Sequence, residues 1–297
     1  MKKILIAILI LISGCDEASN STEPPTMTNQ SEIIEIELLS PIKTITARTP
    51  IPFTESCMPQ VNICWYKIQK SANDTDLPTI NVKNNGSILS LEQAVNTTVA
   101  LDKDTTEHIE NLNVILRGLP KESTHEQYRD LIFTLIGKIQ KSGWSHFYFP
   151  EDPRISGSQT EKISSPDEVL GRYVGSHPWL DPDYRLDLKR WLQIGSFYRW
   201  YFYKDGIYLN LKAWKQNDSQ DPTEKATYLI TLDFKSESEF WRDGITDKKE
   251  RQRWKELLPE RLNAYHKTRL EQEEKARAAG IEIDETYQDP PIQALKN

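Results

Sequence analysis

The sequence of 297 residues predicts an α+β fold in which antiparallel sheets pack against helices, with one strand–helix–strand unit and as many as two subdomains. Three patterns indicate this fold. Short segments alternate apolar and polar residues, as strands with one covered face do. Longer segments repeat apolar residues at helical spacing. A stretch rich in Pro and Gly, from 150 to 181, separates the two halves of the chain.

The first half begins with strands. Residues from Ile34 to Leu38 alternate with Glu, and a second strand is predicted from Val61 to Ile68. Thr79 to Leu91 is predicted to be a hairpin that turns at Asn84-Asn85-Gly86, because Asn and Gly tolerate the positive φ of a tight turn. Leu112 to Leu116 is predicted to be another short strand.

A helix follows, with Ser123 and Glu126 as its predicted capping box. Its apolar residues recur at helical spacing until Gly143 and are Tyr128, Leu131, Ile132, Leu135, Ile136 and Ile139. Trp144 to Phe149 is predicted to be an aromatic strand. Residues 111–149 therefore form a strand–helix–strand unit, long enough to join parallel strands.

The second half is predicted to begin with a helix from Asp181, with Pro182 in its first turn, that ends before Gly195. A meander then runs from Phe197 to Phe234 and turns first at Asp205-Gly206. A charged helix from Asp247 to Ala279 is expected to break or restart at Pro259.

The N-terminus carries an export signal: Lys2-Lys3, an apolar run from Ile4 to Ile12, then Ser13-Gly14-Cys15. The apolar run is too short to span a bilayer, and the pattern is typical of a secretory signal peptide. Residues Ile12 to Cys15 resemble the lipobox of bacterial lipoproteins, which implies acylation of Cys15 and cleavage before it. The alternatives are an ordinary signal peptide with an incidental Cys, or an uncleaved anchor.

These features predict a protein of the cell envelope that is anchored in the lipid bilayer through Cys15 and faces the periplasm. Asp16 resembles the signal that retains enterobacterial lipoproteins in the inner membrane. The predicted divisions are a signal peptide (1–14), the lipidated Cys with a flexible tether (15–31), an N-terminal α+β unit (32–149), a long loop or junction (150–181), a C-terminal α+β unit (182–280) and an acidic tail containing Pro (281–297).

Two further cysteines, Cys57 and Cys64, remain for the oxidising periplasm and are predicted to form a disulfide. Free thiols and a metal site are the alternatives. A metal site would need more Cys or His ligands close by, and the nearest His in the sequence is His108.

Motifs of catalysis are absent from the sequence, so we expect a binding protein rather than an enzyme, with no catalytic residue, metal or cofactor. No nucleophile elbow, zinc helix, phosphate loop or dinucleotide fingerprint occurs. The net charge of −7 argues against binding to nucleic acid. His177 and the carboxylates of Asp152 and Asp181 lie in or near the long loop. A structural role is expected for His177, and turn formation for the carboxylates. The alternative for the carboxylates is hydrolysis of glycosides or binding of a cation.

Aromatic side chains point to a binding surface. The run from Phe197 to Tyr203 places rings on both faces of one strand, and Tyr, Trp and Arg are enriched in binding hot spots. One face should pack in the core while the other contacts a partner, unless a second layer covers both. The candidate interface residues are Trp179, Trp200, Tyr203 and Tyr208.

Three blocks, Leu116 to Pro120, Asp152 to Gly157 and Trp200 to Gly206, resemble segments of lipoproteins encoded beside type VI secretion effectors. Those lipoproteins are immunity proteins that bind and block a toxin. The resemblance implies a protein partner, a toxin or effector, that this chain neutralises by steric occlusion. The alternatives are an envelope hydrolase or carbohydrate-binding lipoprotein with its site between 150 and 181, and a structural lipoprotein of an envelope assembly.

Overall fold

A computed structural model describes residues 31–296. The strands in chain order are β1 (Ile33–Glu37), β2 (Thr54–Met58), β3 (Ile63–Gln69), β4 (Thr79–Asn84), β5 (Ser87–Leu91), β6 (Ala94–Asp102), β7 (Asn111–Leu116), β8 (Ser145–His146), β9 (Glu168–Val169), β10 (Arg172–Tyr173), β11 (Phe197–Lys204), β12 (Ile207–Asn217) and β13 (Ala226–Ser236). The α-helices are α1 (Ile42–Thr46), α2 (His125–Lys141), α3 (Leu188–Gln193), α4 (Glu237–Arg242), α5 (Lys248–Gln252) and α6 (Trp254–Ala278). The predicted α+β class is confirmed.

An eight-stranded sheet organises the fold, in the order β2-β3-β6-β7-β13-β12-β11-β8, with every neighbouring pair antiparallel. The pairing of β7 with β13 joins the two halves of the chain, from Ile230 opposite Leu116 to Lys235 opposite Asn111. The described residues therefore form one unit, rather than the two subdomains that the sequence allowed. Sequence patterns are local, whereas this pairing bridges more than a hundred residues.

The strand–helix–strand unit is β7-α2-β8, but its strands are not neighbours, since β13, β12 and β11 lie between them. Helix α2 crosses one face of the sheet, which we call the covered face. Tyr128 of α2 stacks on Tyr228 of β13 with ring centroids 4.6 Å apart. The expected aromatic strand pairs only at Ser145 and His146, because the chain then leaves the sheet.

A smaller sheet of three strands, in the order β1-β4-β5, belongs to the same hydrophobic cluster as the covered face. β1 pairs with β4 in parallel, and β4 and β5 form the predicted hairpin. Asn85 and Gly86 take φ of 46° and 79° at its turn, which is the positive φ that their sequence predicts.

Three helix boundaries differ from the predictions. The capping box of α2 lies one residue later, on Thr124 and Gln127, since these side chains bond each other's backbone N–H. Helix α3 begins after Asp187 rather than at Asp181, because the intervening residues form turns. The charged helix breaks at Arg253, while Pro259 lies within α6.

The C-terminal segment, residues 281–296, packs on the body and is not the surface tail that was expected. Asp284 donates its backbone N–H to the carbonyl of Arg154 at 2.7 Å. The Asp289 carboxylate pairs with Arg269, whose guanidinium also donates to two backbone carbonyls. The carboxylate of Glu237 accepts the backbone N–H groups of Gln293 and Ala294, each at 2.9 Å. These long-range contacts hold the segment against the body, and one of them pairs an acidic side chain of the segment, Asp289.

Both edges of the large sheet are short. At one edge lies β2, which is exposed throughout and flanked by Pro52 and Pro59. Cys57 and Cys64 lie directly opposite each other on β2 and β3 and are joined by a disulfide with an S–S distance of 2.01 Å. At the other edge, β8 has two residues.

The signal peptide, Cys15, Asp16 and the tether as far as residue 30 lie outside the described residues. Within residues 31–296, no helix is both long enough and apolar enough to cross a bilayer.

Candidate functional site

Alternation along β11 separates its side chains between the two faces of the large sheet. Tyr198, Trp200 and Phe202 are buried on the covered face, against α2 and α3. Arg199 and Tyr201 lie on the opposite face, which we call the open face because the helices cover only one end of it.

At one end, helices pack on the open face. A second hydrophobic cluster lies there, built from Phe147, Tyr208, Trp241, Trp254 and Leu258. Tyr208 of β12 stacks on Phe240 of α4 with ring centroids 3.8 Å apart, and the Trp241 Nε1–H donates to the Tyr208 hydroxyl at 3.1 Å. These contacts fix the helices over one end of the strands and leave the rest of the face uncovered.

Beyond that cover, three apolar side chains lie side by side across adjacent strands. Phe197 of β11 pairs with Trp214 of β12, which pairs with Leu229 of β13. Their exposed fractions are 62%, 46% and 43%. We call these residues the apolar row. On an ordinary solvent-facing sheet surface these positions would be polar, so a contiguous apolar group here indicates a binding surface.

Charged residues adjoin the apolar row. Arg199 lies directly opposite Lys212, and two like charges at that separation are unfavourable unless something compensates them. Lys212 forms an ion pair with Asp233 on β13, which also accepts a hydrogen bond from Asn113. Among the described residues, no carboxylate lies within ion-pair distance of Arg199. Its guanidinium lies over the Phe197 ring, 6.0 Å from the centroid, and has no carboxylate partner among these residues.

A cavity of about 570 Å³ lies between the charged residues and the helical cover. Tyr201, Phe149 and Phe240 supply aromatic surface to its lining, and Arg199 and Asn210 supply polar groups. The Asn210 Oδ1 atom is buried and has no hydrogen-bond partner among residues 31–296. The cavity thus combines apolar contact area with polar groups that can orient a ligand.

None of the four interface residues predicted from sequence lies in the exposed part of the open face. Trp179, Trp200 and Tyr208 are buried in the two cores, so they cannot contact a partner, and their assignment to an interface is wrong. Tyr203 is half-buried, and its hydroxyl donates to the carbonyl of Pro291 in the C-terminal segment. Phe197, Arg199, Tyr201 and Trp214 were missed; the aromatic run predicted the correct strand, but period two alone does not say which face is open.

In the segment 150–181, burial shifts the pKa of three polar residues, and each of them accepts a backbone hydrogen bond. Burial raises the pKa of Asp152 to about 6, and its carboxylate accepts the Ser176 N–H at 2.7 Å. Burial lowers the pKa of His177 to about 4, and its Nδ1 accepts the Trp179 N–H at 3.1 Å. Burial also raises the pKa of Asp181, which accepts the Gly157 N–H at 2.6 Å. The His177 contact is local and caps a short turn, as expected, whereas the Asp152 and Asp181 contacts join parts of the segment that lie 24 residues apart.

Two groups of side chains have the composition of a metal site. Glu55, Cys57 and Cys64 are close together, but the disulfide removes both thiolates as ligands. His146, Asp181 and Asp183 form the other group.

Comparison with protein-family models, with curated proteins and with solved structures finds no match to this chain.

Proposed function

We propose that this chain is a lipid-anchored protein of the cell envelope that binds a toxin or effector protein through the open face and neutralises it. The observation that carries the proposal is the apolar row beside the unpaired Arg199. The lipobox-like N-terminus supports the envelope location, and the resemblance of the three sequence blocks supports a toxin as the partner.

The apolar row supports a protein partner because its side chains are large, adjacent and held by a rigid sheet. Phe197 and Trp214 need no ordering of a loop before they bind, so less conformational entropy is lost on association. Buried aromatic residues near the centre of an interface contribute most of its binding energy. A partner that covered the row would bury these rings against the sheet.

The charged residues beside the apolar row indicate which groups a partner would present to them. Arg199 and Lys212 together offer two cationic groups against the single carboxylate of Asp233. The complementary surface is therefore an apolar patch flanked by an Asp or Glu side chain, which would pair with the Arg199 guanidinium. Such a contact would place the rest of the partner over the cavity next to Tyr201.

The experiment compares three forms of the detergent-solubilised full chain, each used to capture proteins from its own cell envelope. The forms are the wild type, Phe197→Ala with Trp214→Ala, and Leu270→Ala as a control. Leu270 is 62% exposed on α6. The control variant therefore also loses an exposed apolar side chain, but one that is not part of the apolar row. Captured proteins are identified by mass spectrometry and then expressed in cells with each form.

We expect a stoichiometric protein that the wild type and the control retain and the double variant loses. We also expect its expression to be toxic, and the wild type but not the double variant to relieve that toxicity. A partner that binds the double variant equally well would exclude the open face as the interface. A stable partner without toxicity would support a structural role, and binding of isolated cell-wall glycan without a protein partner would support a carbohydrate-binding role.

A further inference from the structure

A group of three potential metal ligands lies away from the open face, where β8 meets the turn at Asp181-Pro182-Asp183. His146 Nδ1 is 3.4 Å from Asp181 Oδ1 and 3.6 Å from Asp183 Oδ2. All three ligand atoms lie within 4.8 Å of one another. The strand and the turn therefore bring together one imidazole and two carboxylates that are far apart in the sequence.

Contacts from other elements orient each of the three side chains. Asp181 Oδ2 accepts the Gly157 N–H, and Asp181 Oδ1 accepts the Asp183 N–H at 2.8 Å. Asp183 Oδ1 accepts from the Gln140 Nε2 group of α2 at 2.7 Å, which leaves Asp183 Oδ2 towards His146. The His146 ring packs on Tyr148 with centroids 4.2 Å apart. Outer contacts of this kind hold the ligands of metal sites in position.

The charge of the group is not balanced by any permanently charged side chain. Asp181 is 3% exposed, so its carboxylate has lost nearly all contact with water. In residues 31–296, neither Asp181 nor Asp183 lies within ion-pair distance of a Lys or Arg, and His146 is the one basic partner of both. A buried carboxylate without a cation is costly, and a divalent ion would supply the missing positive charge.

The distances from His146 to the two carboxylates match a small divalent ion. Ligand bonds of about 2.0–2.1 Å at tetrahedral angles separate neighbouring ligand atoms by roughly 3.3–3.4 Å. The two His146 distances are close to that separation. One nitrogen and two oxygen ligands suit Zn²⁺, whereas Ca²⁺ takes six to eight oxygen ligands.

We propose that His146, Asp181 and Asp183 bind one divalent transition-metal ion, with Zn²⁺ as the best match. His146 and Asp183 line a cleft of about 430 Å³ that also contains Ser145, Asp284 and Tyr287. Water or an oxygen ligand from a bound molecule could reach an ion at His146 and Asp183 through this cleft and would complete its coordination. This site is independent of the proposed binding of a toxin.

The test is calorimetric titration of Zn²⁺ into the full chain, in detergent, after treatment with EDTA and without a His tag. The variants are Asp183→Asn and His146→Gln, with His266→Gln as the matched control. His266 pairs with the single carboxylate of Asp289 at 3.3 Å and therefore tests ordinary surface binding by a His–Asp pair. Circular dichroism verifies that each variant is folded, and Asp183, which is largely exposed, provides the variant least prone to unfold.

We expect one Zn²⁺ per chain for the wild type and for His266→Gln, and affinity at least about tenfold weaker for the other two variants. Co²⁺ in place of Zn²⁺ should give the intense visible absorption of a tetrahedral site. The proposal is overturned if the wild type shows no saturable binding, or if Asp183→Asn binds Zn²⁺ as tightly as the wild type. Either result would leave an ion pair between His146 and the two carboxylates as the whole role of the group.

Discussion

Phe197 and Trp214 lie directly opposite each other on β11 and β12, and both are exposed on the face of the sheet that the helices leave open. Their immediate neighbours along β11 and β12, Tyr198 and Ala213, are an opposite pair that is fully buried on the covered face. One hairpin therefore contributes to the core through one face and exposes large apolar side chains on the other.

The two faces should respond differently to truncation. Phe197→Ala with Trp214→Ala removes exposed side chains and should change the free energy of unfolding by less than about 1 kcal/mol. Trp200→Ala removes a ring from the covered face and should cost about 3–5 kcal/mol. Urea denaturation measures both values. A large loss of stability in the double variant would mean that the apolar row packs within the protein.

His177 should make the protein less stable in acid. Its pKa is lowered from 6.5 to about 4 by burial, so between these values the unfolded chain takes up a proton that the folded chain does not. The stability contributed by the neutral imidazole is full above pH 6.5 and is lost as the pH falls towards 4. Between pH 7 and 4.5, the free energy of unfolding of the wild type should fall further than that of His177→Asn. The expected difference between the two decreases is on the order of 2 kcal/mol. Equal losses in denaturant titrations at the two pH values would contradict this.

Asp152 should act in the opposite direction. Burial raises its pKa from 3.8 to about 6, so the folded chain binds this proton more tightly than the unfolded chain. The resulting stability is full below pH 3.8 and is lost as the pH rises through 6. Asp152→Asn removes the buried charge and keeps an oxygen for the Ser176 N–H. The free energy of unfolding of this variant, relative to that of the wild type, should rise by on the order of 2 kcal/mol between pH 4.5 and 7.5. If it does not change with pH over that range, the raised pKa of Asp152 is refuted.

The ion pair of Arg154 with Glu273 should stabilise the attachment of helix α6 to the segment 150–181. Two guanidinium nitrogens donate to the two carboxylate oxygens at 2.8 and 2.9 Å, and the Glu273 side chain is 0% exposed. Arg154→Met leaves the buried carboxylate with the half-exposed Arg277, at 3.6 Å, as its remaining ion-pair partner, and should cost about 3–5 kcal/mol.

Two matched variants decide whether that cost arises from the buried charge. Arg253→Met breaks an exposed pair with Glu256 and should cost less than about 1 kcal/mol. Adding Glu273→Gln to Arg154→Met should restore part of the lost stability. Thermal unfolding of the double variant at or below that of Arg154→Met would show that packing rather than charge dominates.

Local chemistry explains which elements were predictable. The turns at Asn85-Gly86 and Asp205-Gly206 have positive φ at both residues, and their residue types alone predict this. The apolar spacing in α2 likewise predicts its buried face, from Tyr128 to Ile139. What depends on distant partners was not predictable: β7 pairs with β13, and Asp289 of the expected tail pairs with Arg269.

The same limit applies to the candidate site. Alternation places Phe197 and Trp200 on opposite faces of β11, but the side that α2 covers depends on how the chain crosses the sheet after β7. The sequence suggested cation binding as an alternative role for the Asp181 carboxylate but did not connect it with His146, and only the placement of β8 at the sheet edge brings the two together. Residue types indicated the relevant strand and turn, and the topology decided which side chains meet.

The short edges of the large sheet also affect how these molecules behave when many are crowded on one surface. A long bare edge is a template on which a second chain can add a strand, and repeated addition leads to aggregates. Here β2 lies between Pro52 and Pro59, and β8 ends after two residues. Since Pro lacks the N–H that a growing ladder needs, neither edge can extend far. Neighbouring copies at high local concentration are therefore protected from polymerising through the edges of the large sheet.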